Sequence, residues 1–148
     1  MRVTDEAWPG AMYPPTIGDI ATVAERLLRE LPEPFRGLAG YVPVKVEEWP
    51  DEETLEELGI EDPLDLTGIY EGVPVGERVN LALPPERPEM IRLFRMPILY
   101  EWCERGCSLE EVVFDVLMHE IGHHFGMNED EVRAMEEEAR RQRSLGGS

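Results

Sequence analysis

Lysine is almost missing from this chain. Lys45 is the single lysine among 148 residues, and arginine supplies the rest of the 14 basic side chains, against 32 Asp and Glu. A formal net charge of -18 excludes a nucleic-acid backbone or an anionic membrane surface as the main partner, because both would be repelled. Long apolar runs are also missing, so no stretch is suited to span a bilayer. The opening residues Met1-Arg2-Val3-Thr4-Asp5-Glu6 lack the apolar core of a signal peptide. A cytoplasmic protein of bacterial type is therefore expected. Cysteine is scarce: Cys103 and Cys107 are too few for a disulfide framework, and in a reducing cytosol they are expected as partly buried thiols. Aromatic residues make up only 7%, yet hydrophobic residues reach 42%. That suffices for one domain, 1–148, with a modest core.

What is present is patterned. Thr16 is a candidate helix cap with Asp19 three residues on, and Ile20, Val23, Ala24, Leu27, Leu28 and Leu31 follow at helical spacing. Pro32 and Pro34 stop that helix, and a short turn is expected over 35–39. Residues 41–47 alternate apolar and polar and predict a strand. Asp51 caps an acidic helix that Gly59 ends. Strands are expected over 66–70, 79–83 and, most clearly, 90–96, with a rigid proline-rich loop over 84–88. Pro97 suits the first turn of a helix that Gly106 breaks. Ser108 and Glu111 form a capping box for a helix carrying Val112, Val113, Phe114, Val116, Leu117, Met118, Ile121 and Phe125. A helix so apolar on every side is buried. Gly126 can take the left-handed conformation that ends it. Asn128 then caps a last helix to about Gln142, whose acidic start and arginine-rich end suit the helix dipole, with a loose tail from Leu145.

The buried helix carries His119-Glu120-Ile121-Gly122-His123. Residues four apart share a helix face, so His119 and His123 can offer two imidazoles to one ion. Glu120 is one step round, placed to hold a water on that ion. Zinc sites that act on substrates need neutral ligands, an open position for water and a carboxylate to take its proton. Two satisfied core histidines, or a structural zinc site, are the plainer alternatives. The first leaves buried imidazoles in need of partners, and the second usually uses cysteines without an adjacent glutamate. His124 lies about 100° round from His123, off the shared face and suited to the shell around the site. The third ligand is then a carboxylate after the Gly126 turn, Glu129 or Asp130. Cys103 and Cys107 are weaker candidates because both precede the helix.

His119-Glu120-x-x-His123-x-x-Gly126-x-x-Glu129 resembles the extended motif of metzincin-type zinc peptidases. With Gly68-Ile69-Tyr70-Glu71-Gly72 and Ile91-Arg92-Leu93-Phe94-Arg95, the chain resembles more closely a family of small bacterial zincin-like metallopeptidases, over roughly 41–130. That family typically has aspartate where this chain has Glu129, with Asp130 next; Glu129 is preferred. A metzincin methionine turn is not evident, and Met135 reads as a helix-core residue. The resemblance implies an α+β, minimal zincin-like fold, a small twisted sheet packed on an active-site helix and backing helices. It also implies peptidase activity.

The expected function is a zinc-dependent peptidase acting on a peptide or protein substrate. Zinc is held by His119, His123 and Glu129, and Glu120 serves as catalytic base toward the bound water. The alternatives are a zinc-binding interaction or regulatory module without turnover, and a zinc hydrolase acting on a non-peptide bond. If the strand over 91–96 were a sheet edge beside the metal, an extended peptide could pair with it. Tyr70 and Tyr100 are candidate donors to a developing oxyanion, although structural roles suit both better. Substrate preference and oligomeric state are not encoded in any recognisable pattern.

Overall fold

The fold is built outward from capped helix ends. A computed structural model describes residues 13–31, 33, 36–37, 42–72 and 89–146. The expected turn over 35–39 lies mostly, and the strand over 79–83 and the loop over 84–88 wholly, outside the described residues. Helix α1 (Ile17–Arg29) begins on a capping box in which the Thr16 hydroxyl accepts from the Asp19 amide and Asp19 accepts from the Thr16 amide. Strand β1 (Val44–Glu47) follows. Helix α2 (Glu52–Leu58) is capped by Asp51 and closed by left-handed Gly59. A 3-10 turn, Pro63–Asp65, leads to strand β2 (Gly68–Glu71). Strand β3 (Met90–Phe94) passes directly into helix α3 (Arg95–Arg105). Helices α4 (Leu109–His124) and α5 (Glu129–Gly146) complete the described chain.

Among the described residues these elements make an α+β fold of five helices and a small mixed sheet. The strand order is β1-β3-β2, with β1 parallel and β2 antiparallel to β3. The condition for pairing a peptide on β3, that it lie at the sheet edge, is not met: it is the middle strand. Its register is fixed on both sides, by Val46 opposite Leu93 and by Gly68 opposite Leu93. Its main-chain groups already serve two ladders. Among the described residues β2 is an edge, paired only with β3.

Strand β3 also ends earlier than its apolar run implies, because Arg95 and Met96 belong to α3. Pro97 lacks an N–H, but the first helical turn has no intrahelical acceptor for that group, so the helix can begin two residues before it. Arg95 fastens the corner: its Nε donates to the Pro15 carbonyl at 2.6 Å and its Nη1 pairs with Glu48 at 2.8 Å. The last helix runs past the expected end at Gln142, to Gly146. Val132, Met135 and Ala139 form its buried stripe, and no proline or glycine interrupts the chain before Gly146.

The two faces of the sheet differ. Ile91 and Leu93 are fully buried in a core shared with α1 and α4. Arg92 points the other way, where its guanidinium meets Glu47 at 2.6 Å, Glu71 at 2.7 Å and Asp51 at 2.9 Å. One cation thereby ties β1, β2 and the start of α2 to the central strand. Helix α4 lies close on the sheet. A β-carbon on Gly68 would fall 2.8 Å from Val116 Cγ1, so glycine is what lets edge strand β2 approach the helix that carries the histidines. No helix among the described residues is long and apolar enough to cross a membrane.

Candidate metal centre

Local chain chemistry decides where the histidines point. Val112, Val113, Phe114, Leu117, Met118 and Ile121 are buried and fix the roll of α4. His119 and His123 then emerge at the surface end of one face, with side chains 37% and 43% exposed. Their rings meet edge to face, centroids 4.7 Å apart.

The turn after α4 brings in the third side chain. The Gly126 amide donates to the His123 carbonyl at 3.0 Å, and the Met127 amide donates to the Gly122 carbonyl at 2.9 Å. With Gly126 at φ 69°, this is a Schellman termination, which needs a left-handed residue after the helix cap. Asn128 and Glu131 immediately form a reciprocal capping box, with bonds of 2.9 and 3.0 Å. Helix α5 therefore starts within a few residues and doubles back along α4.

The first residue of α5 is Glu129, and its Oε1 comes to 3.6 Å from His119 Nε2. Ligand atoms of His119, His123 and Glu129 all lie within 4.8 Å of one another. Asp130 is not in this group; its side chain is 93% exposed and faces Arg133 at 3.7 Å. Cys103 and Cys107 are free thiols that precede α4 in the chain, one exposed and one partly buried. Burial pushes the Cys107 thiol above its ordinary pKa, which disfavours the thiolate a metal would need.

Glu120 occupies a different environment. It is buried, and its Oε1 lies 3.3 Å from His123 Nδ1 without a well-formed hydrogen bond among the described residues. That carboxylate is the main reason the His123 pKa is held above its ordinary value, with burial acting against it. A buried carboxylate oxygen lacking a donor is costly, and water on a neighbouring ion would satisfy it. Two imidazoles and one carboxylate are also the donor types of an open zinc site. On both counts the residues fit zinc.

His124 turns away from this group, as its place on the helix requires. It is buried, its Nδ1 lies 3.7 Å from Glu89 Oε2, and its ring packs edge to face on Tyr70 and Phe125. Tyr70 thus abuts His124, while His119 and His123 are half-exposed. Tyr100 is half exposed on α3, where Glu104 is the chief cause of its raised pKa. One residue near the histidines gave no sequence signal. Glu136, on the acidic first half of α5, sits within electrostatic reach of His119. Only its spacing of seven from Glu129, two helical turns, marks it in the sequence.

A family model of zincin-like metallopeptidases matches residues 39–139. The chain belongs to the zincin-like metallopeptidase family. The match spans all three strands and the helix that carries His119, Glu120 and His123. It ends within α5, beyond Glu129. A search of curated proteins returned no match.

Proposed function

We propose that this zincin-like chain is a zinc-dependent peptidase, with His119, His123 and Glu129 as ligands and Glu120 as general base. The observation that carries the reading is the convergence of those three ligand atoms within 4.8 Å beside a buried Glu120 carboxylate. Zinc held there would supply a Lewis acid and bring the acidity of water toward neutral pH. The Glu120 carboxylate accepts the proton of the attacking water and returns it to the leaving amine. Its burial keeps bulk water from competing for that proton. Among the described residues β2, rather than β3, is the sheet edge, and an extended peptide laid against it would gain main-chain hydrogen bonds close to α4.

The test is cleavage of a mixed peptide library by the zinc-loaded chain and by Glu120→Gln. Glutamine keeps the size but cannot take the proton. The expected result is retained zinc with hydrolysis reduced at least about 100-fold. A loss below about tenfold would remove Glu120 as base. Full zinc binding with no peptide cut would favour a binding module without turnover.

A further inference from the structure

Helices α4 and α5 run antiparallel, and two contacts set their register. Near the turn, a β-carbon on Gly122 would fall 2.4 Å from Val132 Cγ2. Farther along, Arg140 pairs with Asp115, and its guanidinium lies 6.0 Å from the Phe114 ring centroid. Between these points each step along α4 is matched by one step back along α5, which sets His119 opposite Glu136. The helical wheel agrees. Glu129, Glu136 and Arg140 share one stripe of α5, and Asp115 and His119 share one stripe of α4. The ends of the paired stripes are joined, by Glu129 to His119 and by Arg140 to Asp115. Glu136 sits between the two joins and is half-buried.

The proposed hydrolysis gives Glu136 no task, yet its position is costly. It is half-buried on the α5 stripe that faces Asp115 and His119 on α4. A half-buried acid among other acids needs a compensating donor. His119 can supply one. Its Nε2 is the nitrogen turned toward Glu129, and a histidine that gives one nitrogen to a metal carries its proton on the other. That N–H is commonly held by a carboxylate, which fixes the ring and raises its basicity.

We infer that Glu136 is the positioning carboxylate of His119, accepting its Nδ1–H when Nε2 is ligated and so aiming the ring at the ion. The inference rests on the proposed zinc site. The two side chains are not hydrogen-bonded in the present arrangement.

The test uses the full chain with zinc, comparing wild type, Glu136→Gln, Glu136→Ala and Arg140→Ala. Zinc affinity is read by chelator competition, and the His119 ring N–H by proton NMR on histidine-labelled, zinc-loaded protein. Glu136→Ala should weaken zinc binding about 10- to 100-fold and release the ring N–H to exchange with water. Glu136→Gln keeps an acceptor oxygen and should lose only about 3- to 10-fold, with the ring proton still observable. Arg140→Ala, which breaks the neighbouring ion pair with Asp115, should lower the melting temperature while leaving affinity and ring proton unchanged. Wild-type affinity in both Glu136 variants overturns the inference and leaves the zinc site standing. So does an equal loss in Arg140→Ala. Failure of the wild type to bind zinc would instead overturn the site itself, and the role of Glu136 with it.

Discussion

Gly122 and Val132 leave no room between them for a methyl group. A β-carbon on Gly122 would meet Val132 Cγ2 at 2.4 Å, and Val132 is 1% exposed. Valine is stiff about χ1, so it cannot swing aside cheaply. The contact sets the spacing of α4 and α5, and hence the reach of Glu129 to His119. Gly122→Ala should therefore destabilise the chain by about 1–3 kcal/mol, although alanine favours helix over glycine. Urea unfolding checks the sign. A stabilised variant would show that the helices can part without cost.

Metal content tests the ligand set. About one zinc per chain is expected in wild type by elemental analysis, with severe loss in His119→Ala and His123→Ala. His124→Ala should keep its zinc, because that ring faces Glu89 and Tyr70. It should still lower the melting temperature, since a buried ring is removed. Full zinc retention in both of the first two variants would sink the proposed centre.

The choice between the adjacent acids is separately measurable. Glu129→Ala should cost more zinc affinity in a chelator titration than Asp130→Ala, because the Asp130 side chain is 93% exposed and faces Arg133. The reverse order would mean that the start of α5 shifts when metal binds.

Acid should loosen the Arg92 hub. The guanidinium of Arg92, followed by the Thr54 hydroxyl and amide, holds the Asp51 carboxyl well below the usual carboxylate range. A depressed folded-state pKa gives stability that is present above the unfolded value near 4 and is lost as pH falls below it. Asp51→Asn removes the charge but keeps a good helix cap. The variant should be less stable than wild type at pH 7, with the gap closing between about pH 4 and pH 2. Urea midpoints across that range decide it; a gap independent of pH would mean that the Asp51 charge adds nothing.

The sequence was most legible where one residue does one local job. Thr16, Asp51 and Ser108 start helices, and Gly59, Gly106 and Gly126 end elements with left-handed backbone. Such signals need no knowledge of distant neighbours. The sheet was harder, because strand order depends on partners far along the chain. An apolar run such as 90–96 reads the same at an edge or in the middle. Arg92 offered a hint: a cation at the centre of an apolar strand needs carboxylates from both flanking strands, and Glu47 and Glu71 supply them. The helix-borne HExxH pattern and the turn after it were readable because their spacing is local. Glu136 was not, since an acidic helix face looks solvated until its neighbour across the helix pair is known.

The return of α5 onto α4 has a consequence for folding order. His119, His123 and Glu129 lie on one helix hairpin closed by the turn at Gly126. A short loop closes at small entropic cost, and local contacts form early. Strand β1, by contrast, must find β3 across the whole intervening chain before the sheet exists. The proposed metal ligands and the sheet thus depend on contacts of different sequence range. Zinc at the proposed site would bridge contacts that are local in sequence, so its binding would report on the hairpin rather than on the sheet.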